Sequence, residues 1–364
     1  MKKILIIITT AFVEYGGLTT VVMNYFRFMD KEGLQIDIAS TNTPPQKLVD
    51  EVTAAGGKYH CLGKRSSLIA YRKRMQEIMQ NGRYDILHVH SNSATAALEL
   101  QMGKKAGIPV RIVHNHNSSC KHKILNFLMK PVFYSSYTDA VACSAKAGAW
   151  LFPKDGFLIL NNAIDTEKYA FSENARRERR EALGLQEDPV IVHVGKINQQ
   201  KNHAFLLAVF AELLKKCPNA HLVCVGDGVL KEQIVEQAQQ IGIDDHITIT
   251  GMVKNVHEYL SMGDYFVFPS LWEGLPLSLL EAQANGLRCV VSDNITTEAN
   301  VTDKVRYLSL NLSVTEWADC ILASGDRERA RESDENIQRI VENGYSIQKN
   351  ASRLRELYLK KREQ

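Results

Sequence analysis

No stretch of this sequence offers the roughly 20 consecutive apolar residues that a membrane-spanning helix requires. The start, Met1-Lys2-Lys3 followed by apolar residues 4–8, has the charge pattern of a signal peptide. Its apolar run is too short, however, Thr9, Thr10 and Glu14 interrupt it, and no small-residue cleavage site follows. It reads as a buried first strand. Cysteine is scarce and scattered: the seven thiols are odd in number, lack metal-ligand spacing and mostly sit in apolar runs such as Val223-Cys224-Val225. That pattern excludes a disulfide framework and fits core thiols in a reducing cytoplasm. Net charge is also small, at +3, which gives no ground for a nucleic-acid partner. No Gly-x-Gly-x-x-Gly follows the first strand, so a dinucleotide-dependent dehydrogenase is disfavoured. Internal repeats and low-complexity tracts are absent as well.

What is present is ample apolar and charged material, 45% and 23% of 364 residues, enough for two domains with real cores. Residues 4–8, 35–39, 86–89, 110–113, 140–143 and 156–159 are short β-branched runs. Helical stretches at 19–30, 68–80 and 94–105 separate several of them. A charged helical stretch, 173–183, breaks the series, and Asp188-Pro189 opens a second one. Its strands are 190–194, 221–225, 247–250, 265–268 and 289–292, alternating with helices at 203–215, 230–240, 256–262 and 277–285. Runs apolar throughout belong to strands covered on both faces, hence to parallel sheets with crossover helices. The expected fold is α/β, two Rossmann-like doubly wound domains facing an interdomain cleft. The expected boundaries are 1–170 and 186–345, with a C-terminal helix over 346–364 for which packing back on the N-terminal domain is one outcome. Basic clusters at 121–130 and 176–180 are read first as solvated faces. A surface for anionic lipid or an anionic substrate is the alternative.

Ligands of such sheets bind beyond the C-terminal strand ends. The run FPSLWEGLPLSLLEA, residues 268–282, lies there: a strand ends at Pro269, a glycine-containing turn follows, and a helix opens near Leu277. Backbone N–H groups at such a helix start can receive an anion or polar ligand. Glu273 and Glu281 are not at metal-ligand spacing. Carboxylates are pure acceptors, so the two could take hydrogen bonds from vicinal hydroxyls; capping the helix by charge is the alternative. Gly16 and Gly17 precede a helix after the first strand, where glycine permits either close ligand approach or a tight turn.

The pattern EGLPLSLLE resembles the signature of retaining GT-B glycosyltransferases of glycosyltransferase family 4, nearest to their bacterial capsular and exopolysaccharide branch. The resemblance covers almost the whole chain. It includes Gly16-Gly17, His114-Asn115-His116-Asn117, Asn161-Asn162-Ala163-Ile164-Asp165, Gly195-Lys196, Lys201-Asn202, Val225-Gly226-Asp227-Gly228, Gly251 and residues 292–298. It implies that Glu281 holds the donor's ribose hydroxyls and that Glu273 contacts the transferred sugar beside Gly274, Leu275, Pro276 and Leu277. Lys196 and Lys201 would grip the diphosphate, stabilising the charge that develops on the leaving group. The family usually has arginine at the position of Lys196, and lysine offers no bidentate fork. His114 would lie near the sugar's hydroxyls, in reach of the reacting centre.

The histidines His88, His90, His114 and His116 form pairs two apart. No third carboxylate or cysteine stands at persuasive spacing, so no metal is expected. The absence of Asp-x-Asp, by which the other major glycosyltransferase fold holds a divalent ion, agrees with phosphate neutralisation by lysines and helix termini. The resemblance thus implies a hexosyl- or N-acetylhexosaminyl-transferase in the cytoplasm that uses a nucleotide-diphosphate sugar, a uridine one by analogy. Its acceptor would be a glycan or lipid-linked saccharide, with no required cofactor, no protein nucleophile and peripheral contact with anionic membrane through 104–130. A sugar-nucleotide epimerase and a non-catalytic sugar-binding subunit are the competing readings.

Overall fold

The first strand, β1 (Lys2–Ile8), is apolar on both sides of its pleat because both sides are covered. Ile4, Ile6 and Ile8 pack into one core cluster, and Leu5 and Ile7 pack into another. In the computed structural model, which describes residues 1–14, 16–153, 156–185, 187–323 and 328–360, the chain divides into two compact units. Each is a Rossmann-like α/β domain.

The first unit comprises the residues up to Ala163 together with those from Ile347 onward. After β1 come α1 (Gly17–Phe28), β2 (Leu34–Ser40), α2 (Gln46–Ala54), β3 (Tyr59–Cys61) and α3 (Leu68–Gly82). Then follow β4 (Ile86–Ser91), α4 (Ala97–Lys105), β5 (Val110–Asn115), α5 (Lys123–Tyr134), β6 (Asp139–Ala142), α6 (Ala145–Leu151) and β7 (Leu158–Ile159). The seven strands are parallel in the order β3-β2-β1-β4-β5-β6-β7. The order reverses between β1 and β4, and that reversal opens a crevice at the C-terminal strand ends.

The second unit, Ile164–Ser346, contains α7 (Glu173–Ala182), β8 (Val190–Val194), α8 (His203–Lys216), β9 (His221–Val225), α9 (Lys231–Gln240) and β10 (Ile247–Ile249). It continues with α10 (Val256–Met262), β11 (Tyr265–Phe268), α11 (Leu277–Ala284), β12 (Arg288–Ser292), β13 (Val305–Leu308), α12 (Val314–Leu322) and α13 (Arg329–Glu342). Its six parallel strands run β10-β9-β8-β11-β12-β13, with the reversal between β8 and β11. Ile191 faces one core cluster while Val190 and Val192 face the other.

The last helix, α14 (Ile347–Leu359), returns to the first unit. Ile347, Ala351, Leu354 and Tyr358 join the cluster of Ile4 and Val22, and Lys2 Nζ donates to the Tyr358 carbonyl at 2.9 Å. Residues 361–364 of the helix expected from the sequence lie outside the described residues.

Two expectations need correction. Residues 164–170, read as part of the first domain, belong to the second unit. Ile164 packs against Leu280, Ala284 and Ile340, and Asn285 Nδ2 donates to the Tyr169 carbonyl at 3.2 Å. The basic run 176–180 is not a wholly solvated face either. Arg180 is buried, and Arg176 and Arg180 meet the two oxygens of Asp264 at 2.7 and 2.6 Å. Packing of α7 against α10 turns those guanidinium groups inward. The sequence does not lead one to expect the helix α5, because Pro131 lies inside it.

Candidate functional site

At the reversal in the second unit, two loops are stitched together by backbone groups. After β8, Gly195 N–H donates to the Val225 carbonyl at 3.0 Å and Ile197 N–H to the Asp227 carbonyl at 2.9 Å. The approach is so close that glycine is required: a Cβ on Gly226, whose φ is +152°, would lie 2.0 Å from the Gly195 oxygen. Side-chain-bearing residues there would separate the loops. Lys196, at the outer edge of this arrangement, is exposed and forms no ion pair among the described residues.

The next turn presents Lys201. Asn198 accepts from Lys201 N–H at 3.2 Å, closing the turn, and Asn202 takes a left-handed φ of 55° to start α8. Leu271 N–H donates to the Gln200 carbonyl at 2.8 Å, and Gln200 Nε2 to the Trp272 carbonyl at 2.9 Å. These bonds bring the β8 and β11 loops side by side and set Lys201 Nζ 2.6 Å from Glu273 Oε1. The pair is shielded, with side-chain exposures of 14% and 10%, and Lys201 Nζ also stands 4.2 Å from the centre of the Phe268 ring. Burial lowers the Lys201 pKa, and the Glu273 carboxylate opposes that shift.

Gly274, Leu275 and Pro276 lead from Glu273 into α11, and Leu277 is its first residue. Gly274 has no atom within 4 Å of where a Cβ would be, so backbone groups there are open to approach. One helical turn further along, Glu281 has its pKa raised to about 7 by burial, against the lowering effects of a Tyr169 hydrogen bond and the Lys168 charge. The structure therefore brings Lys201 and Glu273 into contact and holds Lys196, residues 274–277 and Glu281 on the same three loop and helix starts. Tyr169 escaped the sequence reading. It lies far from Glu281 in the chain, and no pattern marks it.

The first unit holds the remaining candidates. Gly16 caps the N-terminus of α1 just after β1, and an added Cβ would crowd Val13 Cγ2 at 2.9 Å, whereas Gly17 has open space. His114, next to last in β5, is fully buried beside the imidazoles of His88, His90 and His116. Burial, followed by His116 and His90, holds its pKa well below the ordinary imidazole range, so the ring is neutral near pH 7. Chemically, the second unit offers two cations for an anion and two carboxylates for hydroxyl groups. The first offers a neutral imidazole at a strand end.

Residues 15–168 match the family described as Glycosyltransferase Family 4, and residues 175–340 match Glycosyl transferases group 1. EpsF of Bacillus subtilis, a protein assigned as a glycosyltransferase, is 32% identical over 94% of this chain and 93% of its own length. The UDP-Gal:alpha-D-GlcNAc-diphosphoundecaprenol alpha-1,3-galactosyltransferase of Escherichia coli is 26% identical over 94% of each chain. A crystal structure of Anabaena HepE in complex with UDP superposes with a TM-score of 0.78, covering 99% of this chain and all of that one at 15% identity, a likeness of fold alone. With two Rossmann-like units, both family matches and a relative of this identity along nearly its whole length, the chain belongs to the GT-B glycosyltransferases that join a Family 4 domain to a group 1 domain.

Proposed function

We propose that this glycosyltransferase moves a hexosyl or N-acetylhexosaminyl group, with retention, from a uridine-diphosphate sugar to a lipid-linked saccharide in cell-surface polysaccharide assembly. The shielded Lys201–Glu273 pair at the β8–β11 reversal carries this reading. An arriving diphosphate would replace Glu273 as the partner of Lys201, with Lys196 as a second cation, and free the Glu273 carboxylate to accept the sugar's hydroxyl protons. Glu281, held by Tyr169, would accept from the ribose diol. Fixed cations beside the departing phosphate lower the barrier without reorganisation. No side chain is assigned as nucleophile; the leaving phosphate would take the acceptor's proton. His114 would orient the transferred sugar, and Gly16 and Gly17 would let the backbone approach the phosphates and acceptor. The E. coli relative acts on a diphosphoundecaprenol-linked sugar, which supports a lipid-linked acceptor.

Calorimetry with a panel of nucleotide sugars, followed by transfer to lipid-linked acceptors, tests the reading. Only ionised Glu281 accepts two hydroxyl bonds, and its carboxyl titrates at about 7 in the free protein. Donor affinity is therefore expected to fall as pH drops from 8 to 6, by up to about tenfold per pH unit below that pKa. A Glu281→Gln variant should bind weakly at every pH and lose the pH dependence. Wild-type affinity in that variant, or no donor binding by the native chain, would reject the assignment.

Contact with the cytoplasmic face of an anionic membrane belongs to the same proposal. No helix among the described residues is long and apolar enough to cross a bilayer. Along α5, Ile124, Phe127 and Leu128 are 80%, 72% and 65% exposed, and with Val132 they form one outward stripe. An apolar stripe normally faces a core. Here Asn126 and Phe133 face inward instead, with Asn126 Oδ1 accepting from Ala94 N–H at 2.8 Å. Lys121 and Lys123 stand exposed beside the stripe, and residues 100–138 contain no Asp or Glu. Apolar insertion flanked by lysines suits an anionic lipid surface. Co-sedimentation with phosphatidylglycerol vesicles should weaken about tenfold or more in Phe127→Asp, since two buried methylenes at about 0.8 kcal/mol each already exceed the roughly 1.4 kcal/mol of a tenfold change. Equal binding by both proteins, or to neutral vesicles, would defeat this part alone.

A further inference from the structure

We propose that His88, His90 and His114 form a binding site for one divalent transition-metal ion of the zinc, cobalt or nickel class. The sheet assembles what the sequence separates. On the parallel pair β4 and β5, His90 stands opposite His114 in the register, and His88 lies two residues earlier on the same face. All three are buried, and one nitrogen from each lies within 4.8 Å of the others. A tetrahedral zinc site at its usual bond length would need those nitrogens about 3.3 Å apart. The His88 and His114 rings lie nearly parallel, 3° apart with centroids 5.6 Å from each other, so ring rotations must close the cluster around the ion.

The hydrogen bonds around the rings are compatible with the ligating tautomers. His88 Nδ1 is 2.6 Å from the Tyr358 hydroxyl, and His90 Nδ1 is 2.9 Å from His116 Nε2, with Asn162 acting on His116 in turn. With each Nδ1 as the donor, the lone pairs on the Nε2 atoms of His88 and His90 stay available. This is the outward N–H bond that metal-bound histidines normally make. His88 Nε2 and both ring nitrogens of His114 are buried without a hydrogen bond of normal geometry. Leaving such atoms unpaired is costly, and a cation would satisfy His88 Nε2 and one nitrogen of His114, whose other nitrogen keeps its proton beside the Leu160 backbone. Burial and the neighbouring imidazoles keep all three rings neutral, the form that binds metal. An all-nitrogen set selects zinc, cobalt or nickel over magnesium and calcium, which take oxygen ligands.

The ion would not be a cofactor for transfer. By taking the lone pair of His114 it would inhibit; this consequence alone rests on the role proposed for His114 above.

The test is titration of the full-length chain, purified in chelator, with cobalt(II), followed by visible absorption and by calorimetry with zinc(II). The expected result is one ion per chain with the intense visible bands of four-coordinate cobalt. Affinity should drop at least about a hundredfold in His88→Phe and in His90→Phe, and remain unchanged in His221→Ala. Thermal melts would show which variants keep their fold, and either of the two His→Phe variants suffices. Absence of stoichiometric binding, cobalt–thiolate charge-transfer bands from cysteine ligation, or native affinity in a folded His88→Phe protein would overturn the site. Binding without loss of transfer activity would leave the metal site standing and reject only the role of His114.

Discussion

Replacing Lys201 with methionine is expected to lower kcat by about 100- to 1,000-fold, the usual loss when one fixed donor to a developing anion is removed. The structure explains why this lysine should matter more than Lys196. Lys201 is held by the turn at Asn198, by the bonds joining the β8 and β11 loops, and by Glu273 at 2.6 Å. Its charge therefore needs little reorganisation on ligand arrival. Exposed Lys196, with no ion pair among the described residues, must be ordered at the moment of binding, so Lys196→Met should cost less. Lys201→Met also strands Glu273 in a shielded position, where an unpaired carboxylate is unfavourable. The double variant Lys201→Met, Glu273→Gln separates the two effects. It should restore lost stability but not turnover. Steady-state kinetics on folded protein decides the matter, and a Lys201→Met enzyme within a few-fold of wild type would reject the diphosphate role.

Ending the chain before Ile347 should unfold the first unit while leaving the second intact. The cut removes Ile347, Leu354 and Tyr358, all buried in the cluster that contains β1 and α1. At about 1.5–3 kcal/mol for each large apolar side chain, the loss approaches the whole stability of an ordinary domain. Further losses follow at the edges: Arg355 Nε donates to the Asp30 carbonyl at 2.9 Å, and Asn350 Nδ2 donates to the Asn161 carbonyl at 3.1 Å. Differential scanning calorimetry should show the first unit's transition abolished and the second's retained. The milder Leu354→Ala should cost about 2–5 kcal/mol. Two unchanged transitions in the truncated chain would contradict this account of the core.

Most strands were legible because they are apolar on both faces, as in β1 and β8, and a parallel sheet buries both; the short β3 and β13, only partly buried, were missed. Glu273 and Glu281 were legible for a different reason: they sit in one short run where strand end, glycine turn and helix start occur in order. The helix α5 was missed because Pro131 lies inside its pattern, and only the tertiary structure shows that its apolar residues face outward. The buried arginines of α7 were missed because a charge run gives no sign of a partner, and Asp264 lies far along the chain. The histidines show the same limit. Spacing along the chain does not reveal that strand register sets His90 opposite His114 on the neighbouring strand.

The sequence by itself determined the parallel α/β class, the pairing of two such blocks and the loop motif that marks the family, since hydrophobic periodicity and strand-end motifs are local. Tertiary structure alone decided that Lys201 meets Glu273, that Tyr169 holds Glu281 and that three imidazoles share one buried space. Those contacts join residues distant in the chain, and sheet order and register, not spacing along the backbone, set the distances between them.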